Sequence, residues 1–184
     1  TAKPVQDDRF SFTFPSKQWR DLSQAGVSLG YGFDFYVGSI TPPREYRIAF
    51  VDPASAAAAV GVLRGDTVVS IDGVSINDSS DSGIATLSEG LRPSTAGSHT
   101  FVFSRNGVNR APVLLTAASI ALSPVPLDRV ITSNGAKVGY ILFNDHNAPS
   151  ENQLANAITN MRTQGITDLV LDLRYNGGGY LFVA

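Results

Sequence analysis

The 184-residue sequence contains no cysteine. Disulfides and thiolate metal sites are therefore excluded, and an absence of cysteine fits a protein of the cell envelope. Its two histidines, His99 and His146, stand far apart in the chain, and each reads as a surface or turn residue and not as a catalytic base. Charged residues make up only 16%, with a net charge of −2, so there is no basic footprint for a nucleic-acid partner. No apolar run is long enough to span a membrane. The start, Thr1-Ala2-Lys3-Pro4, has neither an initiator Met nor a signal-peptide pattern and reads as that of a mature or trimmed chain. What is present is a 43% hydrophobic content, enough for a folded core in one large or two small domains.

The most informative stretch runs from Asp168 to Leu181. Residues 169–173 form a short apolar run that holds one carboxylate, Asp172, and suits a buried parallel strand. Asp172 and Arg174 lie two apart and so share a strand face. Gly177, Gly178 and Gly179 then free the backbone to turn sharply and to present N–H groups at close range. A dinucleotide site fits poorly here. The Gly-x-Gly-x-x-Gly spacing and the following helix with its distal acid are missing.

The wording Asp172-Leu173-Arg174-Tyr175-Asn176-Gly177-Gly178-Gly179 resembles the Asp-Leu-Arg-x-Asn-x-Gly-Gly signature of the C-terminal processing serine peptidases, family S41. That resemblance implies that the glycines donate a backbone N–H to an oxyanion hole. Such a donor must stand about 3 Å from the developing oxyanion with no side chain in the way. Gly178 and Gly179 are the positions onto which the role is carried, and the sequence does not choose between them.

Earlier in the chain, the alternation over 10–14 predicts a short strand closed by Pro15. A helix follows over 16–25, with Ser16 as cap, Trp19 and Leu22 facing inward and Gly26 as stop. Residues 1–28 are thus expected to form an N-terminal cap segment. Leu29-Gly30-Tyr31-Gly32-Phe33-Asp34-Phe35 resembles the carboxylate-binding loop of PDZ domains. Gly30 and Gly32 would let N–H groups converge on a peptide C-terminus, while Phe33 and Phe35 share one side of the next strand. A glycine-bent hairpin strand is the plain alternative.

The following residues favour the PDZ-like reading. Residues 46–51 read as a strand, 52–61 as a Pro-started short helix ending at Gly61, and Thr67–Ile71 as a strand closed by the hairpin pair Asp72-Gly73. The series Pro53-Ala54 to Val60-Gly61, Leu63, Gly65-Asp66 and Ile71-Asp72-Gly73 is close to a PDZ pattern, in which Asp66 and Asp72 are structural. Residues 78–91 predict a second helix with Ile84, Leu87 and Leu91 on one face, and Ile84 and Leu87 are candidates for a groove wall as well as for plain core. Strands over 98–104 and 108–117, joined by Asn106-Gly107, close the domain at 29–117.

Ser123-Pro124-Val125-Pro126 makes 118–126 a stiff linker. A strand over 137–143 follows the Asn134-Gly135 turn. Ser150 and Gln153 are spaced for a capping box on a helix with Leu154, Ile158 and Met161 on one face, and Gly165 ends it. With the strand from Asp168, this is a βαβ unit. The family's peptidase core resembles it, opening on a strand like Gly135 to Ile141.

The expected architecture is mixed α+β. A PDZ-like small β-barrel with two helices is followed over 127–184 by the start of an α/β peptidase core. In the family the nucleophilic serine and its lysine base lie further along than Ala184, so the 184-residue chain is expected to be inert alone. A desolvated lysine can be neutral near pH 7 and accept the serine proton, which is why that pair works. Two classes stay open: part of a processing peptidase whose PDZ-like domain selects apolar C-termini, or a non-catalytic peptide-binding module. The resemblance implies peptide or protein partners, a cell-envelope or periplasmic site of action and no cofactor. An unpaired apolar strand edge adds possible homodimerisation.

Overall fold

The computed structural model describes residues 15–183. The strand expected over 10–14 lies outside the described residues. The described chain resolves into two compact units, Leu29–Ile120 on the one hand and residues up to Ser28 with those from Ala121 on the other.

In chain order the strands are β1 Val27–Gly30, β2 Phe33–Ser39, β3 Glu45–Val51, β4 Thr67–Ile71, β5 Val74–Ser75, β6 Gly97–Arg105, β7 Val108–Asn109, β8 Val113–Ala121, β9 Leu127–Ser133, β10 Ala136–Leu142 and β11 Asp168–Asp172. The helices are α1 Ser16–Arg20, α2 Ala56–Ala59, α3 Asp81–Leu91 and α4 Ser150–Thr163. Between α1 and β1 the chain continues as a π-helical turn, Asp21–Ala25, that stops at left-handed Gly26. Ser16 does not cap α1, because Pro15 holds that position without a side-chain bond, and Trp19 is exposed instead of inward-facing.

The first sheet follows the path β1-β8-β6-β4-β3-β2, with β5 and β7 as short additions to β4 and β6. Its end strands β1 and β2 do not pair, so the sheet is open and not the closed small barrel expected. The turns follow their residues. Asp72-Gly73 and Asn106-Gly107 each place both residues at positive φ, as a two-residue hairpin demands. Helix α3 starts where Ser80 Oγ accepts the Gly83 N–H at 3.1 Å. Its Leu87 packs into a core with Ile48, Val68, Ile71, Phe101 and Leu115. The rings of Phe33 and Phe35 meet edge-on at 5.1 Å and extend that core.

The second sheet runs β11-β10-β9. Strand β10 pairs in parallel with β11, in register Val138↔Asp168 to Leu142↔Asp172, and antiparallel with β9. Strand, helix α4 and parallel strand make the expected βαβ unit, whose core gathers Ile141, Phe143, Ala157 and Met161. Burying a side chain such as Ile141 contributes about 1.5–3 kcal/mol. Two local expectations fail here. Ser150 Oγ donates to the Asp145 carbonyl at 2.7 Å, and Gln153 Oε1 accepts from Val125 N at 3.2 Å, so no capping box forms. And β11 is not a buried strand. Leu169, Val170 and Leu171 are 45–48% exposed, since among the described residues no strand pairs with its outer edge.

Candidate functional site

Strand β11 delivers the chain to the glycine turn through Asp172. Its side chain is nearly buried, and its carbonyl accepts the Phe143 N–H at 2.9 Å. Arg174 donates to the carboxylate from Nε at 2.9 Å and from Nη2 at 2.6 Å, the Tyr140 hydroxyl donates at 2.6 Å, and the Arg174 N–H adds 3.0 Å. The Arg174 guanidinium, then Tyr140 and the Arg174 N–H, hold the Asp172 carboxyl well below the usual carboxylate range. The same contact pushes the Tyr140 hydroxyl up. Asp172 and Arg174 thus form more than the surface pair their spacing allows. They brace the end of β11.

Beyond it, Asn176 acts as a clamp. Its Nδ2 donates to the Phe143 carbonyl at 3.1 Å, and its Oδ1 accepts the Gly178 N–H at 2.8 Å. The Gly177 N–H goes to the Asn144 carbonyl at 3.1 Å. The His146 N–H donates to the Gly178 carbonyl at 2.9 Å, and the Tyr180 N–H to the His146 carbonyl at 2.8 Å. These two bonds form a one-step parallel bridge that brackets Gly179. Gly179 has φ +136°, and a Cβ there would stand 2.5 Å from the His146 carbonyl oxygen. Gly178, at φ +83°, has open space where its Cβ would be. The three glycines therefore differ. The amides of Gly177 and Gly178 are used inside the turn, whereas among the described residues the Gly179 N–H has no acceptor.

The loop over 143–148 is the part that the sequence reading missed. His146 stands against the glycine turn, its ring 4.7 Å from that of Phe143. Asn144 Oδ1, His146 Nδ1 and Asn147 Nδ2 are buried without a partner among the described residues. The only local signal was a cluster of Asn and His next to an apolar strand, which nothing in the sequence ties to residues 177–179.

The residues expected to bind a peptide lie in the other unit. Leu29 and Gly30 end β1. Tyr31 is buried, with its hydroxyl donating to the Gly90 carbonyl at 2.9 Å, and burial pushes that hydroxyl's pKa up. Gly32 has φ +87°, and a Cβ there would collide with Ser55, so glycine is required on two counts. Gly30 carries no such demand. Among the described residues no backbone carbonyl accepts the N–H of Tyr31 or Gly32. Leu87 is buried and Ile84 is 41% exposed. Both line a cavity of about 160 Å³ with Leu91, Tyr46, Ile40 and Arg44. Phe33 and Phe35 are not in its wall. They pack inward, and Phe35 meets Tyr46 edge-on at 5.7 Å. Strand β2 ends the sheet, so its outer edge is unpaired among the described residues. Among the described residues no three His, Asp or Glu side chains gather as a metal site, and no helix is long and apolar enough to cross a membrane.

Residues 137–184, which hold the βαβ unit and the glycine turn, match the family model Peptidase family S41. Over 177 residues, 95% of its length, the chain is 31% identical to a carboxyl-terminal-processing protease of Picosynechococcus, of which it covers 42%. It is 28% identical over 163 residues to the chloroplastic carboxyl-terminal-processing peptidase 2 of Arabidopsis thaliana, covering 86% of this chain and 30% of that one. The chain thus spans less than half the length of these relatives. In fold it is similar to the photosystem II D1 C-terminal processing protease, with a TM-score of 0.59 at 23% identity over 85% of this chain and 42% of that one. A putative S41 protease from Bacteroides fragilis gives 0.54 at 24% identity over 99% and 52%. The likeness to these two structures is one of mixed α/β fold. By name, the two curated relatives are a carboxyl-terminal-processing protease and a carboxyl-terminal-processing peptidase.

Proposed function

We propose that this chain is the N-terminal portion of a carboxyl-terminal-processing serine endopeptidase. Residues 29–117 serve as a PDZ-like domain that selects substrate C-termini, and the glycine turn contributes one donor to the oxyanion hole. The observation that carries the reading is the Gly179 N–H, which is bracketed by the two His146 bonds and has no acceptor among the described residues. A preorganised amide of this kind stabilises charge on a tetrahedral oxyanion without reorganising when the charge appears. Of the two candidate glycines, Gly179 is the donor. Gly178 serves the turn, because its amide is held by Asn176.

Peptide capture rests on the amides of Tyr31 and Gly32 just before β2 and on the edge of that strand left unpaired among the described residues, along which a peptide adds in extended form. The cavity beside Ile84 and Leu87 supports apolar side chains in the substrate. The nucleophile and base are a serine and a lysine supplied by the rest of the protein, and the 184-residue chain alone is inactive. Action in the cell envelope or periplasm belongs to the same proposal. The exposed apolar strand β11 supports pairing with a further strand, which in a homodimer comes from a second copy.

The test is cleavage of a fluorogenic peptide with an apolar C-terminus, assayed for the complete protein and for the 184-residue chain. Cleavage by the complete protein that a serine-directed reagent stops, with none by the chain, supports the reading. An inactive complete protein that still binds the peptide moves the choice to a non-catalytic peptide-binding module.

A further inference from the structure

Arg44 is a cation that, among the described residues, leaves two of its five guanidinium N–H donors unused. Its backbone N–H donates to Asn77 Oδ1 at 2.7 Å, which fixes the start of the side chain. Nε donates to the Ile40 carbonyl at 2.9 Å, and Nη1 donates to the carbonyls of Ile76 at 2.8 Å and Asp78 at 2.7 Å. All these acceptors are neutral. Among the described residues no carboxylate lies within salt-bridge distance of Arg44. The nearby Asp78 carboxylate is taken by the N–H and hydroxyl of Ser80. Both N–H bonds of Nη2 are left without a protein acceptor among the described residues. Guanidinium groups are planar forks that favour carboxylate partners, so a fork held rigid by three carbonyls with one arm free is a poised anion contact.

That contact lies in the wall of the cavity lined by Tyr46, Ile84, Leu87 and Leu91. Its distance from the carboxylate loop follows from α3. Arg44 is bonded to carbonyls that precede the Ser80 cap, whereas Tyr31 is bonded to Gly90 near the helix C-terminus. Ten helical residues span ~15 Å, the reach of about four or five residues in extended conformation.

We propose that Arg44 reads an acidic side chain on the bound peptide, about four or five residues before its C-terminus. The inference rests on the reading of this groove as a C-terminal peptide site. It adds a substrate class, apolar at the end and acidic upstream. The terminal carboxylate is not the ligand of Arg44, because it is held at Tyr31 and Gly32, at the other end of α3.

The test uses the complete protein, treated with a serine-directed reagent, and labelled peptides with an apolar free C-terminus. Glu or Gln is placed at each upstream position in turn, and binding is followed by fluorescence anisotropy. Wild type should prefer Glu about fivefold at the fourth or fifth position from the end and nowhere else. Arg44→Gln should abolish that preference, so that the Glu and Gln peptides bind alike, while Arg44→Lys should retain part of it. A fold disturbed by the substitution would weaken both peptides alike, so the ratio reads the contact itself. A Glu preference unchanged in Arg44→Gln, or none in wild type, overturns the proposal. Equal binding of amidated and free peptides with the Arg44-dependent preference intact overturns the carboxylate-loop reading alone. Binding of no peptide overturns both.

Discussion

Arg105 holds the buried carboxylate of Asp66 with two nitrogens, Nε at 2.6 Å to Oδ1 and Nη2 at 2.8 Å to Oδ2. The Leu63 N–H adds a third bond at 2.9 Å. Burial works to raise the carboxyl's pKa, but Arg105 and Leu63 outweigh it and hold it below its usual value. The Gly65-Asp66 turn is thus tied to β6 by a charge pair across 39 residues. Arg105→Met leaves the carboxylate buried with its strongest partner gone. The expected result is a melting temperature lower by about 5 °C or more. A variant that melts with wild type would mean the pair is structurally neutral.

The pH dependence of the second unit should carry the mark of Asp172. Its folded pKa lies below the unfolded one, so its contribution is complete above the unfolded value, about 4, and is lost as pH falls toward the folded one. Wild type should therefore be more stable than Asp172→Asn by a constant margin through neutral pH, with the margin shrinking below about pH 4. Thermal melts of both proteins across that range check it. A margin that persists unchanged in acid would show that Arg174 and Tyr140 do not hold the charged form.

Capture of a peptide terminus should depend on its charge. Amidating the C-terminus replaces a charged acceptor for the Tyr31 and Gly32 amides by a neutral one and should weaken binding by about tenfold or more. Gly32→Ala should weaken it as well, since a Cβ at φ +87° runs into Ser55 and displaces the loop. Anisotropy titrations with matched free and amidated peptides give both numbers. Indifference to amidation would remove the carboxylate from the groove.

Much of this was legible in the sequence, wherever local chemistry decides the outcome. Asn134-Gly135 gave its turn for the same reason as Asp72-Gly73, because those residues tolerate positive φ. Ile84 and Leu87 were placed on one helix and are brought together in one wall. Strand β9 was not foreseen, because Leu127–Ser133 mixes charge and apolar residues without clear alternation. The burial of β11 was misjudged because an apolar run reads alike whether or not another element covers it. Gln153 left its expected cap for Val125, 28 residues away, and spacing along the chain cannot register such a partner. The role of the loop over 143–148 is of the same kind. Only the parallel bridge from His146 to Gly179 reveals it.

The choice between Gly178 and Gly179 offers the most direct test of the whole account. In the complete protein, Gly179→Ala places a Cβ against the His146 carbonyl and tilts the Gly179 amide. Gly178→Ala meets open space and bears only the cost of its positive φ, about 1–2 kcal/mol. Turnover of a fluorogenic peptide should fall ~100–1000-fold in Gly179→Ala with its binding retained, and much less in Gly178→Ala. Gly179→Ala cleaving at the wild-type rate would contradict the assignment of the oxyanion donor to this turn.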